Sequence, residues 1–198
     1  MQFVRRLTRR FRVASIGLLL LPLVACGAPT WEGIAIDPPR EVPSFTFALS
    51  NGDTVRTAPE AGRPTMVFFG YTHCPDVCPL TLADWAKIKR ELGADGARVR
   101  WYFVTVDPTR DTPSVAQAYA QQFDSAFVGL SGDSATIADM QRAFGVTSYL
   151  TPGASDTDYL VSHSSQVFAL DEGGRLVTMY PFNGASSAML ADLRQLLR

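Results

Sequence analysis

Two apolar runs dominate what this chain can become: Thr65-Met66-Val67-Phe68-Phe69 and Val99-Arg100-Trp101-Tyr102-Phe103-Val104-Thr105-Val106. Each has the length of a strand, and both are too apolar for a strand with one face in water, so they are expected as strands covered on both sides. Between them, Pro79 to Leu92 sets Leu82, Trp85, Ile88 and Leu92 at helical spacing, with Lys87, Lys89 and Arg90 outside and Gly93 as the stop. In a parallel sheet the residues that follow the two strands share its carboxyl edge, where open α/β sheets keep their sites. Those residues are the loop Gly70 to Pro79 and the segment beginning Asp107-Pro108.

The later elements repeat the pattern. Thr112-Pro113 opens a helix running to about Phe123, Phe127 to Leu130 is a short strand, and Ser134 caps a helix that Gly145 ends. Strands at Gln166–Leu170 and Arg175–Tyr180 flank the turn Asp171-Glu172-Gly173-Gly174, and a helix from about Ser186 to Leu197 closes the chain. In front, Phe45–Leu49 and Thr54-Val55 form a hairpin around Asn51-Gly52. Thr147 to Asp158 is polar, contains Pro152 and Gly153, and reads as a loop long enough to cover something. The order implies an α/β, thioredoxin-like fold: a central sheet flanked by helices, with an extra N-terminal β-hairpin.

The loop Gly70-Tyr71-Thr72-His73-Cys74-Pro75-Asp76-Val77-Cys78-Pro79 holds two of the three cysteines. Pro75 and Pro79 bias Cys74 and Cys78 toward extended or turn backbone. With Pro79 as the first helical residue, Cys78 is expected at the cap, facing the positive end of the helix dipole, with a lowered pKa. A thiolate attacks disulfides and binds soft metals, so both chemistries are open, as is a plain stabilising disulfide. Three residues between the cysteines, rather than two, let both sulfurs point at a third object such as a metal ion.

Residues 1–25 read as an export signal: Arg5, Arg6, Arg9, Arg10 and Arg12 form a basic start, and Val13 to Val24 an apolar run too short for a committed membrane span. Leu23-Val24-Ala25-Cys26-Gly27 is similar to a bacterial lipobox, with Cys26 the lipidated residue and 26–41 a tether. A domain of 42–198 follows. Five of the 18 Lys and Arg lie in the signal, against 19 Asp and Glu in the whole chain, so the net charge moves from −1 to −6 once it is removed. Such a surface argues against nucleic acid as a partner and leaves membrane attachment to the lipid.

Only two histidines are present, His73 and His163. Thioredoxins carry a proline just before the C-terminal hairpin, at the place facing the cysteine loop, and His163 stands there. Two sulfurs and one imidazole form a soft donor set suited to copper, trigonal for Cu(I) and tetragonal with an added ligand for Cu(II), whereas structural zinc wants a fourth protein ligand. His73 is expected to point elsewhere. Arg110 and Asp111 read as loop residues that pair locally.

The run at 70–79, Asp107-Pro108-Thr109-Arg110-Asp111-Thr112-Pro113, the Gly129-Leu130-Ser131-Gly132 to Ala143-Phe144-Gly145-Val146 segment and Ser162-His163-Ser164 together resemble the Sco/SenC family. The resemblance implies a copper-binding metallochaperone for assembly of the binuclear copper (CuA) centre of cytochrome c oxidase, with a lipobox in place of the transmembrane anchor of other members. Carried over by position, Cys74, Cys78 and His163 match the family's copper ligands, and Asp107 matches an acidic position beside them. The expected partners are the copper-bearing oxidase subunit and another copper chaperone as donor. The expected location is extracytoplasmic, on a membrane. The same dithiol also suits a thiol-disulfide reductase, which would need Cys74 and Cys78 but not His163.

Overall fold

The computed structural model describes residues 30–198 apart from 61, 156, 157 and 183. The export signal and Cys26 lie outside the described residues, among which no helix is long and apolar enough to cross a membrane.

The strands, in chain order, are β1 (Ile34–Glu41), β2 (Thr46–Ala48), β3 (Thr54–Arg56), β4 (Thr65–Gly70), β5 (Arg100–Thr105), β6 (Phe127–Leu130), β7 (Ser148–Ser155), β8 (Asp158–His163), β9 (Val167–Leu170) and β10 (Arg175–Tyr180). The helices are α1 (Val77–Leu92), α2 (Pro113–Gln121), α3 (Ser134–Phe144) and α4 (Ser186–Leu196). Six strands form one sheet in the order β1-β10-β9-β4-β5-β6, while β2 with β3 and β7 with β8 make separate two-stranded ribbons. The two apolar runs pair in parallel at its centre, Met66 beside Trp101 and Phe68 beside Phe103. Every residue of β4 and β5 is buried, as strands covered on both faces must be.

Because β4, β5 and β6 step in one direction, right-handed crossovers bring α1 and α2 to the same face. There Trp85 of α1 packs against Phe68, Trp101 and Phe127, and Tyr119 of α2 lies on Phe103. Pleating turns the next residue, Phe69, to the opposite face, where it meets Phe144 of α3 and Phe168 of β9. Aromatic clusters on both faces thus clamp the central strands, whose carboxyl ends carry the cysteine loop. The α/β layout, the front hairpin β2–β3 and the Gly145 stop, with φ of 70°, follow the sequence reading.

Four details differ from it. Residues expected in the tether form β1, an edge strand paired antiparallel with β10. Its irregular register between Ala35 and Arg40 absorbs Pro38 and Pro39, and an exposed edge needs little apolar patterning. Asp192 of α4 anchors its start, accepting from the backbone N–H of Glu32 (2.9 Å) and Gly33 (3.0 Å) and from the Tyr180 hydroxyl (2.9 Å). The 147–158 segment is not a loop: Ser148–Ser155 pairs antiparallel with β8. Its loop-like composition reflects a ribbon outside the main sheet, with residues 149–153 exposed on both faces. Asp133, not Ser134, caps α3, accepting from the N–H of Thr136 at 2.9 Å. Finally, α1 begins at Val77 behind Asp76, so Cys78 lies within the first turn rather than at the cap. Proline is tolerated in a first turn because its missing N–H has no intrahelical partner to lose.

Candidate metal centre

At the end of β4 the chain must turn sharply beneath α1, and Gly70 permits it. A Cβ there would sit 2.8 Å from the Cys78 sulfur and 2.8 Å from Phe103, so only a bare backbone leaves room for that thiol. The turn continues with the Cys74 N–H donating to the Tyr71 carbonyl at 3.2 Å. Beneath it lies Asp111, with 0% exposure. Its carboxylate accepts from the Thr72 N–H (2.9 Å), the Thr72 hydroxyl (2.5 Å) and the Thr105 hydroxyl (2.7 Å), tying the loop to the end of β5. The reading of Asp111 as an ordinary loop residue is therefore corrected. The signal that points to it is the Thr72 hydroxyl beside the loop and an acid that reaches it only through the fold.

Both thiols are free, Cys74 half-buried and Cys78 fully buried. The first-turn N–H of Cys78 points at the Cys74 sulfur, 3.4 Å away, so this sulfur takes an otherwise unpaired helix donor. A hydrogen bond from the Cys78 thiol, opposed by burial and aided by the N–H groups of Asp76 and Cys78, lowers the Cys74 pKa to about 4. The same shared hydrogen bond, with burial and the charges of Cys74 and Asp111, pushes the Cys78 thiol up. The expectation that Cys78 would be the acidic thiol is thus reversed. A residue inside the first turn is buried under the helix, whereas a residue just outside it receives the helix donors. The two thiols titrate as a coupled pair, with Cys74 the more acidic sulfur and Cys78 the less acidic one.

His163 ends β8, opposite Ser148. Its Nδ1 donates to the Ser164 carbonyl at 2.9 Å, which leaves Nε2 as the free lone pair, 4.0 Å from the Cys78 sulfur. The ring is wedged edge-on against Phe68 and Tyr71. The structure thus brings Cys74, Cys78 and His163 to one place. Among the described residues no three His, Cys, Asp or Glu side chains form a ready-made metal cluster, so the donors are neighbours rather than a closed cage. His73 turns outward, its Nδ1 3.2 Å from the Thr72 hydroxyl and 3.8 Å from Asp111.

Asp107 is buried but touches neither sulfur. One carboxylate oxygen accepts from Arg110 Nε at 2.5 Å and the other from the Tyr159 hydroxyl at 2.8 Å. Arg110 lies over the Tyr159 ring, 3.6 Å from its centroid, and donates to the Tyr159 carbonyl at 2.9 Å. Arg110 is therefore a mostly buried bridge between the 107–111 segment and the β7–β8 ribbon, not an exposed loop charge. Tyr159 is absent from the sequence-derived site because nothing local in a polar stretch marks it.

Among proteins of known sequence, the chain is 35% identical over 133 residues to the mitochondrial SCO2 homolog of Bos taurus, covering 66% of this chain and 50% of the bovine protein. It is 30% identical over 151 residues to an SCO2-like protein of Rickettsia conorii, covering 76% of this chain and 74% of that one. The chain therefore spans about half the length of its mitochondrial relatives. Among solved structures it superimposes on apo Sco1 of Thermus thermophilus with a TM-score of 0.73 at 36% identity, covering 85% of this chain and 98% of that one. It superimposes on copper-bound ScoI of Bradyrhizobium japonicum with a TM-score of 0.71, also at 36% identity, covering 79% and 99%. The SCO1/SenC family profile matches residues 35–198, a span that begins at β1 and includes both cysteines, Asp107 and His163, and so this chain belongs to the SCO1/SenC family.

Proposed function

We propose that this protein is an extracytoplasmic copper metallochaperone that binds one copper ion through Cys74, Cys78 and His163 and delivers it to the CuA centre of cytochrome c oxidase. The observation that carries the reading is the His163 imidazole, its Nδ1 committed to Ser164 and its Nε2 turned to the Cys78 sulfur at 4.0 Å. Metal bonds of the length zinc makes, about 2.3 Å to sulfur and about 2.0 Å to nitrogen, can bridge such a gap. A thiolate at Cys74, a thiol able to lose its proton to the incoming cation, and one imidazole make a soft set that suits Cu(I) and, with a further ligand, Cu(II). Membership of the family, and the copper held by the Bradyrhizobium japonicum relative, support copper as the cargo. In this reading Cys26 carries the lipid that holds the domain on the outer side of a membrane, the copper-bearing oxidase subunit is the recipient, and another copper chaperone is the donor.

Anaerobic titration of residues 30–198 with Cu(I), followed by incubation with an apo oxidase copper domain, tests this. One tightly held copper that passes to the recipient is the expected result. Uptake that His163→Ala leaves unchanged would show that the imidazole is not a ligand.

A second reading rests on a separate observation. Cys74 is half-exposed and strongly acidified, with a protonated buried thiol beside it, the arrangement of an attacking and a resolving cysteine. It supports a thiol-disulfide reductase acting on exported proteins such as the oxidase copper subunit. Rescue of an oxidase-deficient strain by His163→Ala but not by Cys74→Ser would select this reading over the first.

A further inference from the structure

We infer that Tyr159 is a positioning residue that sets the register of the β7–β8 ribbon and so decides whether His163 faces the sulfurs. The inference rests on the copper reading of His163. The ribbon is detached from the six-stranded sheet, so no neighbouring strand dictates its alignment. Its own pairing slips between Pro152 and Ser155, and residues 149–153 of β7 are exposed on both faces. Ribbons of this kind specify register weakly, and a shift of one residue carries every side chain to the opposite face. For His163 that shift would exchange a place against Phe68 and Tyr71 for one in solvent.

Tyr159, Val161 and His163 alternate along β8 and share its inward face. Val161 is buried and its backbone N–H meets the Tyr71 hydroxyl, but its aliphatic side chain makes no directional contact. Tyr159 is fastened in three ways: its hydroxyl to Asp107 Oδ1 at 2.8 Å, its carbonyl to Arg110 Nη1 at 2.9 Å, and its ring under the Arg110 guanidinium at 3.6 Å. Arg110 is itself held by Asp107 Oδ2. Both anchors stand on the segment that leaves β5, beside the cysteine loop. At about 3.3 Å per residue, the fastening point lies roughly 13 Å along the strand from the histidine. At the other end the Ser164 N–H donates to the Thr147 carbonyl at 3.0 Å. The ribbon is pinned at both ends: here Ser164 Oγ also accepts from the Thr147 N–H and Ser148 Oγ from the Gln141 amide, while the Tyr159 end ties β8 to the segment that leaves β5.

Tyr159→Phe removes the hydroxyl and keeps the ring on Arg110, so the fold is preserved; Tyr159→Ala removes both. For each, the nitrogen hyperfine coupling of the Cu(II) form, the rate of copper release to a chelator and the alkylation rate of Cys74 are measured beside wild type and His163→Ala. Tyr159→Phe should release copper about tenfold faster with weakened nitrogen coupling, Tyr159→Ala should approach His163→Ala, and Cys74 alkylation should be unchanged in both. In the apo protein, amide exchange at 160–163 should accelerate in Tyr159→Phe while β4 and β5 stay protected. Wild-type coupling and release in Tyr159→Phe, where His163→Ala loses both, overturns the positioning role alone. A His163→Ala protein that behaves as wild type overturns the copper reading beneath it.

Discussion

The Nε2 of His163 stands 4.0 Å from the sulfur of Cys78, two side chains separated by 85 positions in the chain. The imidazole comes from a ribbon outside the sheet and the sulfur from the first turn of α1. Their meeting is a product of topology: β9, which follows the ribbon, returns antiparallel beside β4 and so delivers its own beginning to the edge where β4 ends.

Removing the imidazole should therefore weaken copper without disturbing the thiols. His163→Ala is expected to lower Cu(I) affinity by more than about tenfold in chelator competition, since even residues that only orient a ligand contribute that much. The reduction potential of the dithiol, measured in the same samples against glutathione, should change little.

Thiol ionisation sets a pH dependence. Cys74 falls to about 4 from an ordinary 9.0 while Cys78 rises, so the folded pair keeps one proton where an unfolded pair keeps two below pH 9 and none above. From pH 4 to 9 the unfolded chain binds more protons, and the pair's contribution to stability grows with pH; above 9 the order reverses and it declines. The urea midpoint of the reduced protein, relative to Cys74→Ser/Cys78→Ser, should rise between about pH 5 and about pH 8. A difference that stays flat across this window speaks against the shared proton.

Asp111→Asn keeps the shape of the buried acid but turns one acceptor into a donor facing two hydroxyls and an amide. A loss of about 2–3 kcal/mol in equilibrium unfolding is expected, with faster amide exchange in the cysteine loop. Thr72→Val, which removes one hydroxyl, should cost about 1 kcal/mol.

Gly70→Ala brings a methyl group against the Cys78 sulfur and the Phe103 ring. Overpacking at so tight a place should destabilise by about 1–3 kcal/mol and displace the buried sulfur. Copper uptake should fall more than stability does, which a titration at a temperature well below the unfolding midpoint will reveal.

Asp192→Ala should free the first strand. Three donors lose their carboxylate, at a cost of about 3 kcal/mol, and hydrogen exchange should quicken through 34–41 while the centre of the sheet stays protected.

Much of the scaffold was legible because its signals are local. The runs at Thr65–Phe69 and Val99–Val106 announce doubly covered strands, and Thr112-Pro113 and Gly145 mark helix ends whichever partner the helix finds. Ile34–Glu41 carries no strand signal because an exposed edge strand needs no apolar alternation, and 148–155 none because a ribbon strand exposed on both faces and holding a Pro-Gly pair has the composition of a loop. The sequence points to Cys78 as the acidic thiol where the fold makes it Cys74, for a related reason. Sequence places a helix start only to within a residue or two, and at a first turn that margin separates a sulfur that receives the helix donors from one buried beneath them.

What the amino-acid order determined by itself was the material of the site: two thiols in a proline-punctuated loop, Asp107 after the second apolar strand, and one histidine ahead of the last pair of strands. These follow from short-range sterics and hydrophobic period, which act over a few residues. Which thiol holds the proton, that Asp111 lies beneath the loop, and that Tyr159 is fastened to Asp107 and Arg110 were decided only in the tertiary structure. Burial and hydrogen bonding depend on what is packed around a group: for Asp111 and Tyr159 the partners Thr72 and Asp107 lie tens of residues away along the chain, and for the thiols the first turn of α1 decides which sulfur is buried and which receives the helix N–H.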